Sequence, residues 1–183
     1  MALSGSTNFE PNVAEFVEEA FERCGLELRT GYDLKTARRS INLMLAEWAN
    51  RGLNLWTIEQ RTKTLTASTS SYDLDTDLVD VLSAVLYEAS DTTVDKQLDR
   101  LSRAEYLHLS KKSTEGTPTQ FYLERTITPK LYVYPTPDAA DTFKYYALTR
   151  INDAGDYTNN SEVPFRFLPS LTAGLAYYLA MKK

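Results

Sequence analysis

Phe121-Tyr-Leu-Glu-Arg-Thr-Ile-Thr-Pro-Lys-Leu-Tyr-Val-Tyr-Pro-Thr-Pro-Asp138 decides how this chain is read. Two short aromatic runs flank a turn containing Pro129, and Pro135-Thr-Pro-Asp138 closes the second. Runs rich in Tyr, Phe and Val, bounded by Pro and Asp, predict a β-hairpin. Apolar or aromatic groups fall on both faces of it, because neighbouring residues alternate sides. No reactive group sits on it.

Further strands are expected on either side, at Arg61–Leu65 and Phe143–Thr149, with Thr66–Ser71 as a polar loop or hairpin tip. Asp80–Glu88 is ambiguous by period and reads better as strand than helix. Ser102 followed by Glu105 is a capping box, so Ser102–Leu109 predicts a short helix. Lys111–Thr119 reads as loop.

Helical periods occupy both ends. Val13, Phe16, Val17, Ala20, Phe21 and Cys24 recur on one face, with Glu15, Glu18, Glu19 and Glu22 around the rest and Gly25 at the stop. Asp33 is placed to cap a second helix with the stripe Leu34, Ala37, Ile41, Met44, Leu45 and Trp48, ended by Gly52. Two such helices with a short connection should pack antiparallel. After a polar connection at Asn152–Val163, Phe165–Lys183 predicts a closing helix. Its stripe is Leu168, Leu171, Leu175 and Tyr178, and Ala173, Ala176 and Ala180 form a small-residue face. Residues 1–10 read as a flexible arm.

The result is an α+β fold: an N-terminal antiparallel helix pair and a C-terminal helix packed with a strand-rich, antiparallel middle. A chain of 183 residues suits one domain spanning 1–183. Its helical part is 10–58 and 164–183, and its β-rich part is 59–150 with a short helix near 102–109.

Composition narrows the function. A net charge of −5 argues against a surface that grips nucleic acid, which needs a basic footprint. The uncharged run Leu168–Met181 falls short of the roughly twenty residues of a membrane span. The single Cys24 excludes an internal disulfide framework and a multi-Cys zinc site. Asp73-Leu-Asp-Thr-Asp77 resembles the start of a calcium loop, but Leu78 and Ala84 stand where that loop needs Gly and Glu. A turn whose Asp side chains hydrogen-bond the backbone is the simpler reading. His108 has no second His or Cys with which to share a metal. As a base in a small hydrolase it would need a nucleophile beside it in space. No phosphate-cradling or nucleophile-elbow motif occurs. The reading is of a protein without catalytic residues, cofactor or metal.

Two features suggest contact surfaces. Arg38 and Arg39 lie on the polar side of the second helix, either pairing with nearby Glu or meeting a neighbouring subunit. Of twelve tyrosines, eight lie between Tyr122 and Tyr178. Tyr suits interfaces because its ring is apolar and its hydroxyl bonds at a rim, although an aromatic-rich core is an equal alternative.

Ile41-Asn-Leu-Met-Leu-Ala-Glu-Trp48, Gly52-Leu-Asn-Leu-Trp56, the 121–138 hairpin and Leu171-Thr-Ala-Gly-Leu-Ala-Tyr-Tyr-Leu-Ala180 occur in that order. The succession resembles tailed-phage head-to-tail adaptors, also called connectors, tail accessory factors or tail tubular protein A. The resemblance runs through most of residues 10–183, and the order of its motifs carries the specificity. It implies a structural virion protein of the neck, assembled in the host cytoplasm. Such a protein forms a ring, typically of twelve copies, between the portal and the tail nozzle or tube. Phe167, Leu171, Leu175 and Tyr178 become candidate portal or ring contacts. Tyr122, Tyr132 and Tyr134, with Arg38 and Arg39, become candidate subunit or tail contacts. Twelve subunits at −5 would sum to about −60, an acidic channel through which DNA slides without specific binding. Another neck component, a stopper or tail-completion protein, is the alternative, though these are usually smaller and more completely β. By its own pattern the chain stops at Lys183 in mid-helix, where the family usually continues.

Overall fold

The structure, a computed structural model, describes residues 9–29, 31–53, 56–88 and 91–182, with side chains at 91–93 outside the description. The arm expected at 1–10 therefore falls almost wholly outside it. The chain divides into a helical unit, residues up to Trp56 and from Ile151 onward, and a β unit, Thr57–Arg150, inserted into it.

In the helical unit, α1 spans Val13–Arg23 and α2 spans Gly31–Asn50. A 3-10 turn at Phe165–Phe167 leads into α4, Leu168–Ala180; the short α3, Arg103–His108, belongs to the β unit. Asn12 caps α1 by accepting from the Glu15 N–H at 3.0 Å. The Val13 and Ala14 N–H groups, which have no partner inside the helix, donate to the Asn159 and Tyr157 carbonyls. Gly25 and Gly52 adopt φ of +68° and +80°, and each ends its helix with paired return bonds. In those bonds Leu26 N–H reaches the Phe21 carbonyl, and Leu53 N–H reaches that of Trp48. One expectation needs correcting here: α2 starts at Gly31, so Asp33 stands within its first turn. There a carboxylate favours the positive helix end without being the cap.

Most of both N-terminal stripes is buried, with Cys24, Leu34 and Trp48 half-buried against the same core. Val13, Phe16, Val17, Ala20, Phe21, Ala37, Ile41, Met44 and Leu45 share one core with Leu168, Leu171, Leu175 and Leu179. Helix α4 packs on both α1 and α2. Its approach to α2 is close because Gly174 carries no Cβ; one built there would lie 2.5 Å from Met44 Sδ.

The β unit is made of two four-stranded sheets, in the orders β1-β8-β3-β4 and β2-β7-β6-β5. The strands are β1 Ile58–Thr64, β2 Ser71–Asp73, β3 Leu78–Glu88, β4 Asp91–Gln97 and β5 Asp99–Arg100. After α3, Arg103–His108, come β6 Gln120–Glu124, β7 Lys130–Tyr134 and β8 Thr142–Thr149. The expected hairpin is β6–β7, with Phe121 opposite Val133 and Leu123 opposite Leu131. Pairing is antiparallel throughout except for the two-residue β5–β6 contact. Inner-face side chains of both sheets form one core, in which the Phe121 and Phe143 rings meet edge to face at 5.7 Å. The fold is α+β.

Three strands were not anticipated from sequence: β2, β4 and β5. Asp73-Leu-Asp-Thr-Asp77 contains a turn at residues 76–77, and its carboxylates also reach other strands. Asp75 and Asp77 accept from Arg61 on β1, and Asp73 lies 3.6 Å from Lys130 Nζ.

Candidate assembly surfaces

His108 accepts or donates no side-chain hydrogen bond among the described residues. It is exposed at the end of α3. Cys24 is half-buried and its Sγ contacts the Ala176 carbonyl at 3.1 Å, joining α1 to α4. Among the described residues no cluster of His, Cys, Asp or Glu could hold a metal ion. Nor is any described helix long and apolar enough to cross a membrane. What the molecule offers are surfaces.

On α4 the stripe read from sequence points inward. Leu171 and Leu175 are 1% and 0% exposed and belong to the helical core. Phe167 is half-buried against Trp56, ring centroids 5.3 Å apart. The half-buried Tyr178 donates its hydroxyl to Glu47 on α2, and this bond, with Arg51 beside it, holds the Glu47 carboxyl below its usual range. The outward side of α4 is instead Ala173, Tyr177, Ala180 and Met181. Tyr177 and Met181 are 64% and 60% exposed. An open groove of about 490 Å³ runs between α1 and the start of α4, with Phe9, Phe16, Phe165 and Leu168 among its walls.

On the hairpin, the aromatic face opposite the core is covered from within the subunit. Tyr122 is buried beneath Tyr106 of α3, rings stacked at 4.9 Å, and Tyr132 tilts against Tyr106 at 5.1 Å. Tyr132 Oη donates to Glu124 at 3.1 Å. Burial and that carboxylate push the Tyr132 hydroxyl above its ordinary pKa. Helix α3 starts with the capping box read from sequence, with Ser102 accepting from Glu105 N–H and Glu105 from Ser102 N–H. Tyr134 is half-buried. The hairpin feature most open to a partner is Ile127 at the turn, 88% exposed, which sequence periodicity had no means to single out.

A further apolar face lies on the outside of the β1-β8-β3-β4 sheet. Ile58 sits opposite Leu148, and Tyr146 lies two residues along β8 on the same side. A bulge at Val81–Ser83 leaves Leu82 exposed beside them. Lys144 donates to the Tyr87 hydroxyl at 2.6 Å on this sheet.

Arg38 and Arg39 part ways. Arg38 turns back onto its own subunit, donating to the Gly155 carbonyl at 3.1 Å and to Asp156 at 3.2 Å, with its guanidinium over the Tyr157 ring. Asn42, one turn on, accepts from Ala154 N–H at 2.8 Å. Together they hold the 153–157 loop. Arg39 is exposed.

The chain matches the family model of the SU10 adaptor protein over residues 11–183. It belongs to the SU10 adaptor protein family. This is a family of phage head-to-tail adaptors, so the chain is a structural component of a phage neck. No curated protein matches it. The match covers both the helical unit and the inserted β unit, so the adaptor architecture includes the α1-α2-α4 core and both sheets.

Proposed function

We propose that this SU10-family adaptor assembles into a ring, of twelve copies by the family resemblance, that joins the portal to the tail nozzle or tube. DNA passes through its lumen without specific binding. The observation that carries this reading is the adaptor-family match across 11–183. The surfaces support it. The exposed side of α4 with Tyr177 and Met181, and the neighbouring groove walled by Phe9 and Phe165, are the part of the helical unit offered to the portal. Ile127 and the outer sheet face with Ile58, Leu82 and Tyr146 are the part of the β unit offered to neighbouring copies or the tail. Scattered apolar residues are ordinary on a monomer, but aromatic and aliphatic side chains gathered on one face are the composition of an interface centre.

Size-exclusion chromatography of the chain mixed with its cognate portal tests the reading. Co-elution in the portal peak is expected. Separate elution at all protein ratios contradicts it.

A further inference from the structure

Glu15, Glu18, Glu19 and Glu22 are all exposed on α1 and fall at i, i+3, i+4 and i+7, so they form one acidic stripe. Arg23 pairs with Glu19 at 2.8 Å, whereas Glu15, Glu18 and Glu22 enter no ion pair among the described residues. Lys35, Arg38, Arg39 and Asn42 repeat the same spacing on α2. Lys182 joins them from the chain end, donating to Ser40 Oγ at 2.6 Å. Burial, and to a lesser degree the nearby Arg39 charge, pull the Lys182 ammonium below its usual pKa. Asp156 offsets Arg38, but Lys35 and Arg39 form no ion pair among the described residues. The basic stripe is also concave: Lys35, Arg38, Arg39, Asn42 and Leu43 line an open groove of about 330 Å³. Leu43 is 57% exposed, an apolar side chain beside these cations.

We propose that the basic α2 stripe of one copy docks on the acidic α1 stripe of the next, head to tail around the ring. This deepens the ring reading and rests on it. Like charges at helical spacing destabilise a helix, and both stripes carry that penalty in a lone subunit. An opposite stripe laid alongside removes it from both. Each stripe is about 10 Å long by the rise of the helix, so the two match in length as well as period. Two complementary patches on different helices of one chain are what a heterologous contact requires, since each copy then gives one and receives the other. The four glutamates, Lys35 and Arg39 are exposed, while Arg38 and Asn42 also hold the 153–157 loop, and no described ion pair joins α1 to α2. A DNA backbone would satisfy the cations but leave the equally regular carboxylates without a role.

The test uses the full chain with two paired reversals, Lys35→Glu with Arg39→Glu, and Glu18→Lys with Glu22→Lys. All four side chains are exposed, and circular dichroism checks that the fold is kept. Sedimentation velocity at low salt, with and without the cognate portal, reads assembly. Each reversed chain alone should associate at least about tenfold more weakly than wild type, because like-charged stripes then meet. An equimolar mixture should recover assembly, since an even ring can alternate the two chains. A misfolded chain cannot show that recovery.

Wild-type-like assembly of either reversed chain alone, or no recovery on mixing, overturns the stripe pairing while leaving the ring intact. Duplex DNA added to the same low-salt runs gives a second readout: DNA binding by the wild-type chain that the α2 reversal abolishes, with assembly unchanged, overturns the pairing in favour of phosphate contact. A wild-type chain that stays monomeric in both conditions contradicts the ring reading itself, and this inference with it.

Discussion

Arg61 grips Asp77 through two parallel bonds, Nη1 to Oδ1 at 2.8 Å and Nη2 to Oδ2 at 2.6 Å. The fork ties β1 to the turn that leads into β3, and Asp75 adds a contact at 3.0 Å. Hydrogen bonding to Arg61 holds the Asp77 carboxyl below its ordinary pKa. A carboxylate stabilised in this way contributes above its unfolded pKa of about 3.9, and the contribution is lost as pH falls through the lower folded value. Asp77→Asn should therefore cost about 1 kcal/mol at pH 7, with solvent screening holding it to that scale because Asp77 is 44% exposed. The gap from wild type should close below about pH 4. Urea denaturation followed across pH reads both. A gap that widens in acid would contradict the assignment.

Gly174 and Met44 predict a coupled pair. Gly174→Ala gains up to about 1 kcal/mol of helix propensity but drives a methyl into Met44 Sδ inside a packed core. The net result should be a loss of about 1 kcal/mol. In a Met44→Ala background the same substitution should become neutral or stabilising. Thermal melts of the four chains give the coupling, and additive effects would show that the helices have room to separate.

The two sides of α4 should respond differently. Leu175→Ala opens a cavity in the helical core and should cost about 2–5 kcal/mol in a denaturant titration. Tyr177→Ala, on the exposed side, should stay within about 0.5 kcal/mol of wild type. Its expected effect is on co-elution with the portal. Full portal binding by Tyr177→Ala would remove this side of α4 from the proposed contact.

The Ser102 cap should matter locally. Ser102→Ala removes the acceptor for Glu105 N–H, about 1 kcal/mol for a helix only six residues long. Helix α3 lies over Tyr122 and Tyr132, so hydrogen exchange should rise across 102–109 and along β6 before it rises elsewhere. Uniform change across the β unit would contradict α3 acting as a local cover.

DNA affinity should be weak. With a net charge of −5 and several of its cations held in ion pairs, the isolated chain should show no complex with duplex DNA at physiological salt. A micromolar dissociation constant in a gel-shift assay would contradict the proposed passive channel.

The hairpin, both N-terminal stripes, their glycine stops and the α3 capping box were legible because each is a local pattern with a local cause. β3 looked ambiguous for a physical reason. Bulges between Leu78 and Asp80 and between Val81 and Ser83 put the buried residues at Leu78, Val81, Ala84 and Leu86, a spacing that imitates a helix. β4 was illegible because Asp91-Thr-Thr-Val-Asp-Lys-Gln97 is an edge strand, exposed from Val94 to Gln97 and without apolar alternation. The contact residues were harder still. A stripe such as Leu168, Leu171 and Leu175 marks what the subunit buries within itself, so the surface left for a partner is the side that periodicity does not mark. Tyr122 shows the same effect: its ring is taken up by Tyr106, and Ile127 is left outside.

Microscopy of the vertex tests the central claim most directly. Negative-stain images of portal particles, recorded before and after addition of the chain, should gain a second annular layer below the portal with the same rotational symmetry axis. Portal particles unchanged by a saturating amount of folded chain would contradict the account.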